Sequence, residues 1–376
     1  MVADVVGLAA GNSHSILVMR DGSAWISGLN LGGLSHRFQP VIPSDVTAAA
    51  AGIGYSMVLK QDGSLWAMGD STKGQLGDGL KDNKHSFSFV QMFPDGAKAV
   101  AAGGYHSMVL TREGRVWITG WNKFGQIGIK STDSRLRFYQ VIPGGAEAIA
   151  AGNAHSIVLK QDGSVWATGR NGNGQLGDGS SADRNSFVEV VSSHAVYVAA
   201  GEHHTMVVKQ DGSVWVTGWN EYGQLGDGST IDRINYAQVI LSRAKGVAAG
   251  SRHSMVLKQD GSVWTTGSNQ CGQLGDGSTA NSLVFVRVVS PVHGAQAIAA
   301  GAFHSMVAMQ DGSVWAAGSN QHGQFGIRSI DSTRTFTKIP QIGNGAMHTL
   351  ALQSLVAAFS PLACTWNRAQ QTTTCT

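Results

Sequence analysis

Short apolar segments alternate with glycine-containing turns along most of the chain. No long segment repeats its apolar residues with the spacing of an amphipathic helix. The pattern is clearest between residues 148 and 191. Small apolar residues fill 148–152, and mostly apolar segments follow at 155–160, 165–169 and 187–191. Short apolar segments bounded by Gly, Asp and Ser predict β-strands. This unit therefore predicts four strands, called A to D in chain order.

The four-strand unit recurs seven times. Each copy has a tryptophan that closes an Asp-Gly-Ser-x-Trp string or a near variant, at Trp25, Trp66, Trp117, Trp166, Trp215, Trp264 and Trp315. The interval between them is about fifty residues, which lies in the range of propeller and solenoid repeats. One repeat architecture therefore explains the 376 residues better than two or three separate domains.

The character of the four segments predicts how the strands are arranged. Asp-Gly between B and C is typical of a type I′ hairpin turn. The Ala and Gly residues of A suit an innermost strand, and the weak alternation in B and D suits sheets covered on both faces. We predict an all-β fold, a seven-bladed β-propeller of four-stranded antiparallel blades, over residues 2–342. Residues 343–376 are interpreted as a degenerate eighth half-repeat and a polar C-terminal tail.

Two arrangements can close this ring. The chain starts with an A strand, and 335–342 supplies a last D strand with no complete copy after it. Pairing this last strand beside the first A, B and C strands would remove exposed sheet edges. Alternatively, each D strand belongs with the three strands before it, and packing alone closes the ring.

Composition and charge exclude several classes of partner. The formal net charge is +3, and Lys and Arg form no basic run, so we expect no direct binding of nucleic acid. Residues 350–359 are too short an apolar stretch to span a bilayer, so we expect no membrane insertion. The first residues lack a secretory signal pattern. We expect an intracellular protein, cytoplasmic or nuclear, of unknown oligomeric state.

The repeated polar residues have structural interpretations. One histidine per copy spreads around the ring, which is incompatible with a shared metal site: His14, His106, His155, His204, His253, His304 and His348, with Tyr55 in the second copy. Asp78, Asp178, Asp227 and Asp276 lie in Gly-Asp-Gly corners without EF-hand spacing, and Asp and Gly commonly form turns. The three cysteines show no metal-like spacing. We therefore predict no enzyme, no catalytic residue, no metal and no cofactor.

The candidate site comes from positions that differ between copies. Antiparallel strands place the A–B and C–D loops on the same face of the propeller. Aromatic and Arg side chains in loops are typical of binding hot spots. On this face we predict nine partner-binding residues: Tyr105, Trp121, Phe124, Arg170, His203, Trp219, Tyr222, Arg252 and Phe303. Alternatively, these aromatic residues only cover the corners of the blades.

The strings Ala-Ala-Gly-x-x-His-Ser, Asp-Gly-Ser-Val-Trp and Gly-Gln-Leu-Gly-Asp-Gly resemble the repeats of the regulator of chromosome condensation superfamily, over residues 2 to 342. The resemblance implies the propeller fold and, for the founding member, guanine-nucleotide exchange on a small GTPase. Copies two to seven vary little in length, which leaves no room for a long wedge inserted into a GTPase. Plant ultraviolet-B receptors share the fold, but their Gly-Trp-Arg-His-Thr corner is missing. The leading hypothesis is a non-enzymatic protein-binding scaffold, and exchange on a small GTPase is the alternative.

Overall fold

The computed structural model describes residues 5–30, 33–81, 90–93, 96–289, 294–340, 364–367 and 372–375. The chain divides into two compact units, Met1–Gln341 and Ile342–Thr376. In the second unit, two short strands, Cys364–Asn367 and Thr372–Cys375, pair antiparallel. Most of the predicted eighth half-repeat, His348 included, lies outside the described residues.

The described part of the first unit consists of seven four-stranded antiparallel sheets. Blade 1 contains β1 (Val5–Ala10), β2 (His14–Met19), β3 (Ala24–Asn30) and β4 (Gly33–Ile42), and blade 2 contains β5 (Val46–Ala51), β6 (Tyr55–Lys60), β7 (Leu65–Gly69) and β8 (Val90–Phe93). Blade 3 contains β9 (Ala97–Ala102), β10 (His106–Thr111), β11 (Val116–Gly120) and β12 (Arg135–Ile142), and blade 4 contains β13 (Ala146–Ala151), β14 (His155–Lys160), β15 (Val165–Gly169) and β16 (Arg184–Val191). Blade 5 contains β17 (Ala195–Ala200), β18 (His204–Lys209), β19 (Val214–Gly218) and β20 (Arg233–Ile240), and blade 6 contains β21 (Ala244–Ala249), β22 (His253–Lys258), β23 (Val263–Gly267) and β24 (Ser282–Val289). Blade 7 contains β25 (Ala295–Ala300), β26 (His304–Met309), β27 (Val314–Gly318) and β28 (Thr333–Lys338), and the short pair of the second unit is β29 and β30.

The architecture is the predicted all-β, seven-bladed propeller. In every blade the strands lie in chain order, so each D strand pairs with the C strand that precedes it. The last D strand, β28, pairs with β27 through Trp315 and Lys338, whereas β4 occupies the outer edge of blade 1. The sequence allowed two ways of closing the ring. Pairing of the last strand with the first blade is wrong, and the arrangement in which each D strand belongs with the three strands before it is correct.

The hairpin between strands B and C differs from the predicted type I′ turn. The turn glycine has a positive φ, 79° at Gly163, but Asp162 before it does not. In blade 4, Gly163 donates to the carbonyl of Lys160, and Lys160 donates to that of Ser164. This is a three-residue loop built on a type I turn and closed by a left-handed glycine. Asp162 instead accepts from the backbone N–H and the hydroxyl of Ser164.

Hydrogen bonds between a histidine and a hydroxyl connect successive blades. His155 Nε2 lies 3.0 Å from Thr205 Oγ1 of the next blade, and five further pairs repeat this contact at 2.9 Å: His14–Ser56, His106–Ser156, His204–Ser254, His253–Ser305 and His304–Ser15. The last pair joins blade 7 to blade 1. The ring is therefore closed by the contact that joins its other blades, except for blades 2 and 3, where the Tyr55 hydroxyl donates to the carbonyl of His106. The structural interpretation of these histidines is supported, with a side-chain hydroxyl rather than backbone as partner.

The hydroxyl partner determines which imidazole nitrogen carries the proton. Thr205 Oγ1 donates to the carbonyl of Gln175 at 2.6 Å, so its oxygen accepts from His155 Nε2–H. Burial lowers the pKa of the repeat histidines, to about 4 for His14 and His106 and to about 3 for His204. They are therefore neutral at physiological pH.

The repeat tryptophans pack between blades, as expected. Trp117 of blade 3 joins the apolar cluster of blade 2, and its ring lies 5.9 Å from that of Phe93. In six blades the indole N–H donates to the Ser two positions earlier, at 2.9–3.1 Å. In blade 3 Arg115 replaces this Ser, and the buried Trp117 Nε1 has no partner.

Candidate functional site

The A–B and C–D loops bring the predicted residues together within each blade. The residue after strand C donates its N–H to the carbonyl of the residue before strand B. This bond measures 2.8 Å for Trp121 and Tyr105 and for Trp219 and His203. Because strands B and C are already paired, the bond fixes the two loop side chains next to each other.

A buried glutamine positions the third side chain of each group. Gln126 and Gln224 are fully buried. Their amide oxygens accept from the backbone N–H of Phe124 at 3.1 Å and of Tyr222 at 2.9 Å. The aromatic residue two positions before each glutamine is therefore held against the tryptophan of its own blade.

The first group of candidate residues is an aromatic cluster on blade 3. The Trp121 ring meets the Tyr105 ring edge to face, with centroids 5.8 Å apart, and the Phe124 ring with centroids 5.3 Å apart. Arg170 of blade 4 places its guanidinium carbon 5.2 Å from the Phe124 centroid. We call Tyr105, Trp121, Phe124 and Arg170 the first cluster.

The second group repeats this arrangement two blades further on. Trp219 meets His203 edge to face at 5.8 Å and Tyr222 at 5.3 Å. Arg252 of blade 6 places its guanidinium carbon 5.6 Å from the Trp219 ring and 4.9 Å from the Tyr222 ring. Its Nη1 donates to the Tyr222 hydroxyl at 3.3 Å. We call His203, Trp219, Tyr222 and Arg252 the second cluster.

Charge connects the two clusters. Burial and, after it, the positive charges of Arg170 and Arg252 lower the pKa of His203 to about 4, against the opposing effect of Asp232. His203 is therefore neutral at pH 7, although Glu202 Oε1 lies 3.5 Å from its Nε2. Both guanidinium groups act on the same imidazole, so the two clusters are electrostatically coupled. We call the eight residues of the two clusters, on blades 3 to 6, the aromatic–arginine band.

The ninth candidate, Phe303, stands apart from the band. It lies on the A–B loop of blade 7 and is 38% exposed, whereas all eight band residues are partly buried. No ring contact joins it to either cluster among the described residues. The structure thus brings together eight of the nine predicted residues.

The stacking of each arginine on the preceding blade was not foreseen from the sequence. The signal was present, because aromatic residues fill the loop positions of blades 3 and 5 while Arg170 and Arg252 occur in blades 4 and 6. Glu202, next to His203, also lies at this site and is not among the nine residues predicted from the sequence.

The aspartates of the Gly-Asp-Gly corners stabilise the C–D loops through hydrogen bonds. Asp178 accepts from Arg184 Nε at 2.7 Å, from Ser180 and from Asn171, and Asp227 has the equivalent partners in blade 5. Over the described ranges, no group of three His, Cys, Asp or Glu residues could hold a metal ion. The inner strands line a central cavity of about 180 Å³, mostly with Ala and Gly.

Comparison with known protein families agrees with the propeller fold. Residues 2–243 match the RCC1-like domain, and residues 244–273, 295–324 and 260–308 match models of the regulator of chromosome condensation (RCC1) repeat. The first match covers more than half of the chain, so the chain belongs to the RCC1-like domain family. This family of propellers includes guanine-nucleotide exchange factors and binding scaffolds. No curated protein matches the chain.

Solved structures share the fold at low sequence identity. Human WBSCR16 has a TM-score of 0.73 and 22% identity, over 82% of this chain and 87% of that one. Yeast RCC1 (Prp20), solved bound to Kap60, has a TM-score of 0.75 and 20% identity, over 92% and 86%. Prp20p from Saccharomyces cerevisiae, studied together with its binding to Gsp1p and histones, has a TM-score of 0.74 and 18% identity, over 91% and 88%. These identities support the fold alone. Within the described residues, no helix is long and apolar enough to cross a membrane.

Proposed function

We propose that this chain is a non-enzymatic protein-binding scaffold that holds a partner protein on the aromatic–arginine band. The observation that carries the proposal is the band itself. Two clusters with the same geometry recur on one face, at loop positions where the fold accepts unrelated residues. Blade 6, for example, has Ser268 where blades 3 and 5 have tryptophan, and its strands still pair as theirs do.

The chemistry of the band suits protein recognition. Trp, Tyr and Arg are enriched among residues that dominate binding energy, above all where they are already held in place. Edge-to-face contacts and backbone hydrogen bonds restrain these side chains before a partner arrives. Partial burial leaves part of each ring open to contact.

The test is affinity capture from native extract with the wild-type chain and with the double variant Trp121→Ala/Trp219→Ala. We expect the variant to lose the captured partner, because each tryptophan is the centre of its cluster. Its strands should stay folded, since both residues are in loops, and circular dichroism would verify this.

Leu241→Ala is the matched control. Leu241 is 81% exposed and lies between β20 and β21, on the opposite face. This variant should capture the same partner as the wild type. Equal capture by the folded double-tryptophan variant would refute the proposal and place binding elsewhere on the chain.

Guanine-nucleotide exchange on a small GTPase is the second candidate, supported by the family resemblance. The C–D loops of blades 3 to 6, which lie at the band, weigh against it, since they have the same length and none of them is extended by an insertion. Release of labelled GDP from purified small GTPases tests it directly, and accelerated release would rank exchange above a pure scaffold.

A further inference from the structure

Two arginines of the band lack the carboxylate partners that two other arginines of blades 4 and 5 have. Arg184 and Arg233 lie 2.7 Å from Asp178 and Asp227, respectively. Among the described residues, Arg170 and Arg252 form no ion pair, and their guanidinium groups lie instead over aromatic rings. Stacking holds a guanidinium in place while leaving in-plane N–H donors for a planar anion, although Arg252 Nη1 already donates to the Tyr222 hydroxyl.

Two carboxylates of the C–D loops of blades 4 and 5 form hydrogen bonds with asparagines and no ion pair with these arginines. Asp183 accepts the backbone N–H of Asn171 at 2.8 Å, and Asp232 accepts that of Asn220 at 2.8 Å and the side-chain amide of Asn173 at 2.9 Å. Of the remaining acids on blade 5, Glu202 lies beside His203, and Glu221 is exposed in the C–D loop.

The second cluster also contains buried polar atoms without partners. Arg252 Nε and His203 Nδ1 are both buried and lack a hydrogen-bond partner. Buried polar atoms without a partner also occur elsewhere in the described residues, for example at Nδ1 of the repeat histidines. Here both belong to one cluster on the proposed binding face, and they are adjacent to side chains that a partner would contact.

We propose that the partner segment is acidic and apolar: its carboxylates pair with Arg170 and Arg252, and its apolar side chains pack on Trp121 and Trp219. This inference rests on the proposed function, because it assigns the chemistry of the partner that the band binds. The arginines stack two blades apart, on Phe124 and on Trp219 and Tyr222, so the segment contacts both clusters in an extended form.

Charge complementarity favours a protein segment over nucleic acid. Binding to a phosphate backbone draws its affinity from many cation contacts, whereas the band presents two guanidinium groups and the chain carries a net charge of +3. The aromatic rings are also restrained edge to face within their clusters, so their faces are not free as parallel platforms for bases.

The test uses fluorescein-labelled synthetic peptides of equal length and the full chain. One peptide is rich in glutamate and leucine, the second carries glutamine in place of glutamate, and the third carries lysine. Fluorescence anisotropy at low ionic strength should show binding of the glutamate peptide alone. For Arg170→Gln/Arg252→Gln we expect an affinity about tenfold lower and a weaker dependence on salt.

Arg328→Gln is the matched control, since Arg328 is an exposed arginine on the C–D loop of blade 7, outside the band. It should bind the glutamate peptide like the wild type. The inference is overturned if the wild type does not bind the glutamate peptide, if it binds the glutamine peptide equally well, or if the double-arginine variant binds unchanged. Stronger binding of a single-stranded oligonucleotide than of the glutamate peptide would also overturn it.

The two proposals fail in different ways. If the tryptophan variant loses its captured partner but the arginine variant does not, the scaffold function stands and the acidic partner is wrong. If the glutamate peptide binds through the arginines while the tryptophan variant keeps its captured partner, the anion site stands and the scaffold interface lies elsewhere.

Discussion

The contacts between blades and the aromatic–arginine band involve the same blades but differ in how strictly their residues repeat from one blade to the next. Between blades, the histidine–hydroxyl bond recurs six times with nearly identical length, and it also joins blade 7 to blade 1. In the band, equivalent loop positions carry Trp121, Arg170, Trp219 and Ser268 in successive blades. The fold uses the first set of residues at six of the seven contacts between blades, with Tyr55 at the seventh, and it accepts very different residues in the second set.

This difference separates residues needed for folding from residues available for binding. A repeated blade must pair the polar groups that it buries at each contact with its neighbour, because a mismatch leaves a buried polar atom unpaired. A loop whose backbone is held by its own hydrogen bonds imposes no such demand on its side chains. Side chains that recur with one geometry where nothing in the fold requires them are therefore the best candidates for function.

Acid should destabilise the contacts between blades more than any single substitution. The unfolded chain takes up protons on histidine below about pH 6.5, whereas the folded chain keeps His14 neutral down to about pH 4 and His204 to about pH 3. Stability is therefore full above pH 6.5 and falls as the pH decreases towards 4. We expect a loss on the order of 1 kcal/mol for each buried histidine between pH 6.5 and 5, measured by urea unfolding.

The hairpin carboxylates act in a separate pH range. Hydrogen bonds from Ser23 and Ser164 lower the pKa of Asp21 and Asp162 below 3.8, so their contribution is lost only at lower pH. His155→Gln should reduce the slope between pH 6.5 and 5. Unfolding free energies that are constant over this range would contradict the neutral, buried state of the histidines.

A methyl group added at the contact between blades should have the next largest effect. A Cβ at Gly152 would collide with the His155 ring and with the carbonyl oxygen of Gly201 in the next blade. Neither group can move away freely, so Gly152→Ala should cost about 3 kcal/mol. Gly172→Ala in a loop of the same blade is the control, because a Cβ there meets no atom within 4 Å. Similar unfolding midpoints for the two variants would show that the contact between blades tolerates more than the geometry implies.

The smallest expected effect is a gain of stability. Trp117 Nε1 is buried without a partner because Arg115 replaces the serine present in the other blades. Arg115→Ser should supply the missing acceptor and stabilise the fold by about 1 kcal/mol. Arg115→Ala removes the same arginine without adding an acceptor. Equal urea midpoints for the serine and alanine variants would mean that the indole gains nothing from the hydroxyl.

Local patterns predicted the fold well because each blade repeats the same short-range signals. Seven tryptophans, the Asp-Gly turns and the small residues of strand A sufficed for the number and order of the strands. The turn type was wrong, because Asp162 bonds to Ser164 and leaves only Gly163 in the left-handed region. The sequence also left both ring closures open, since each D strand had a possible neighbour on either side.

The sequence by itself determined which loop residues differ between blades, and with them the nine candidates. Only the tertiary structure decided that eight of these form one band, that each arginine lies over the aromatic rings of the preceding blade, and that Phe303 stands apart. The contacts of the two arginines join residues of different repeats, as Arg170 and Phe124 do. Their geometry depends on how neighbouring blades pack. A sequence pattern within one repeat carries no information about the distance between side chains of two different blades.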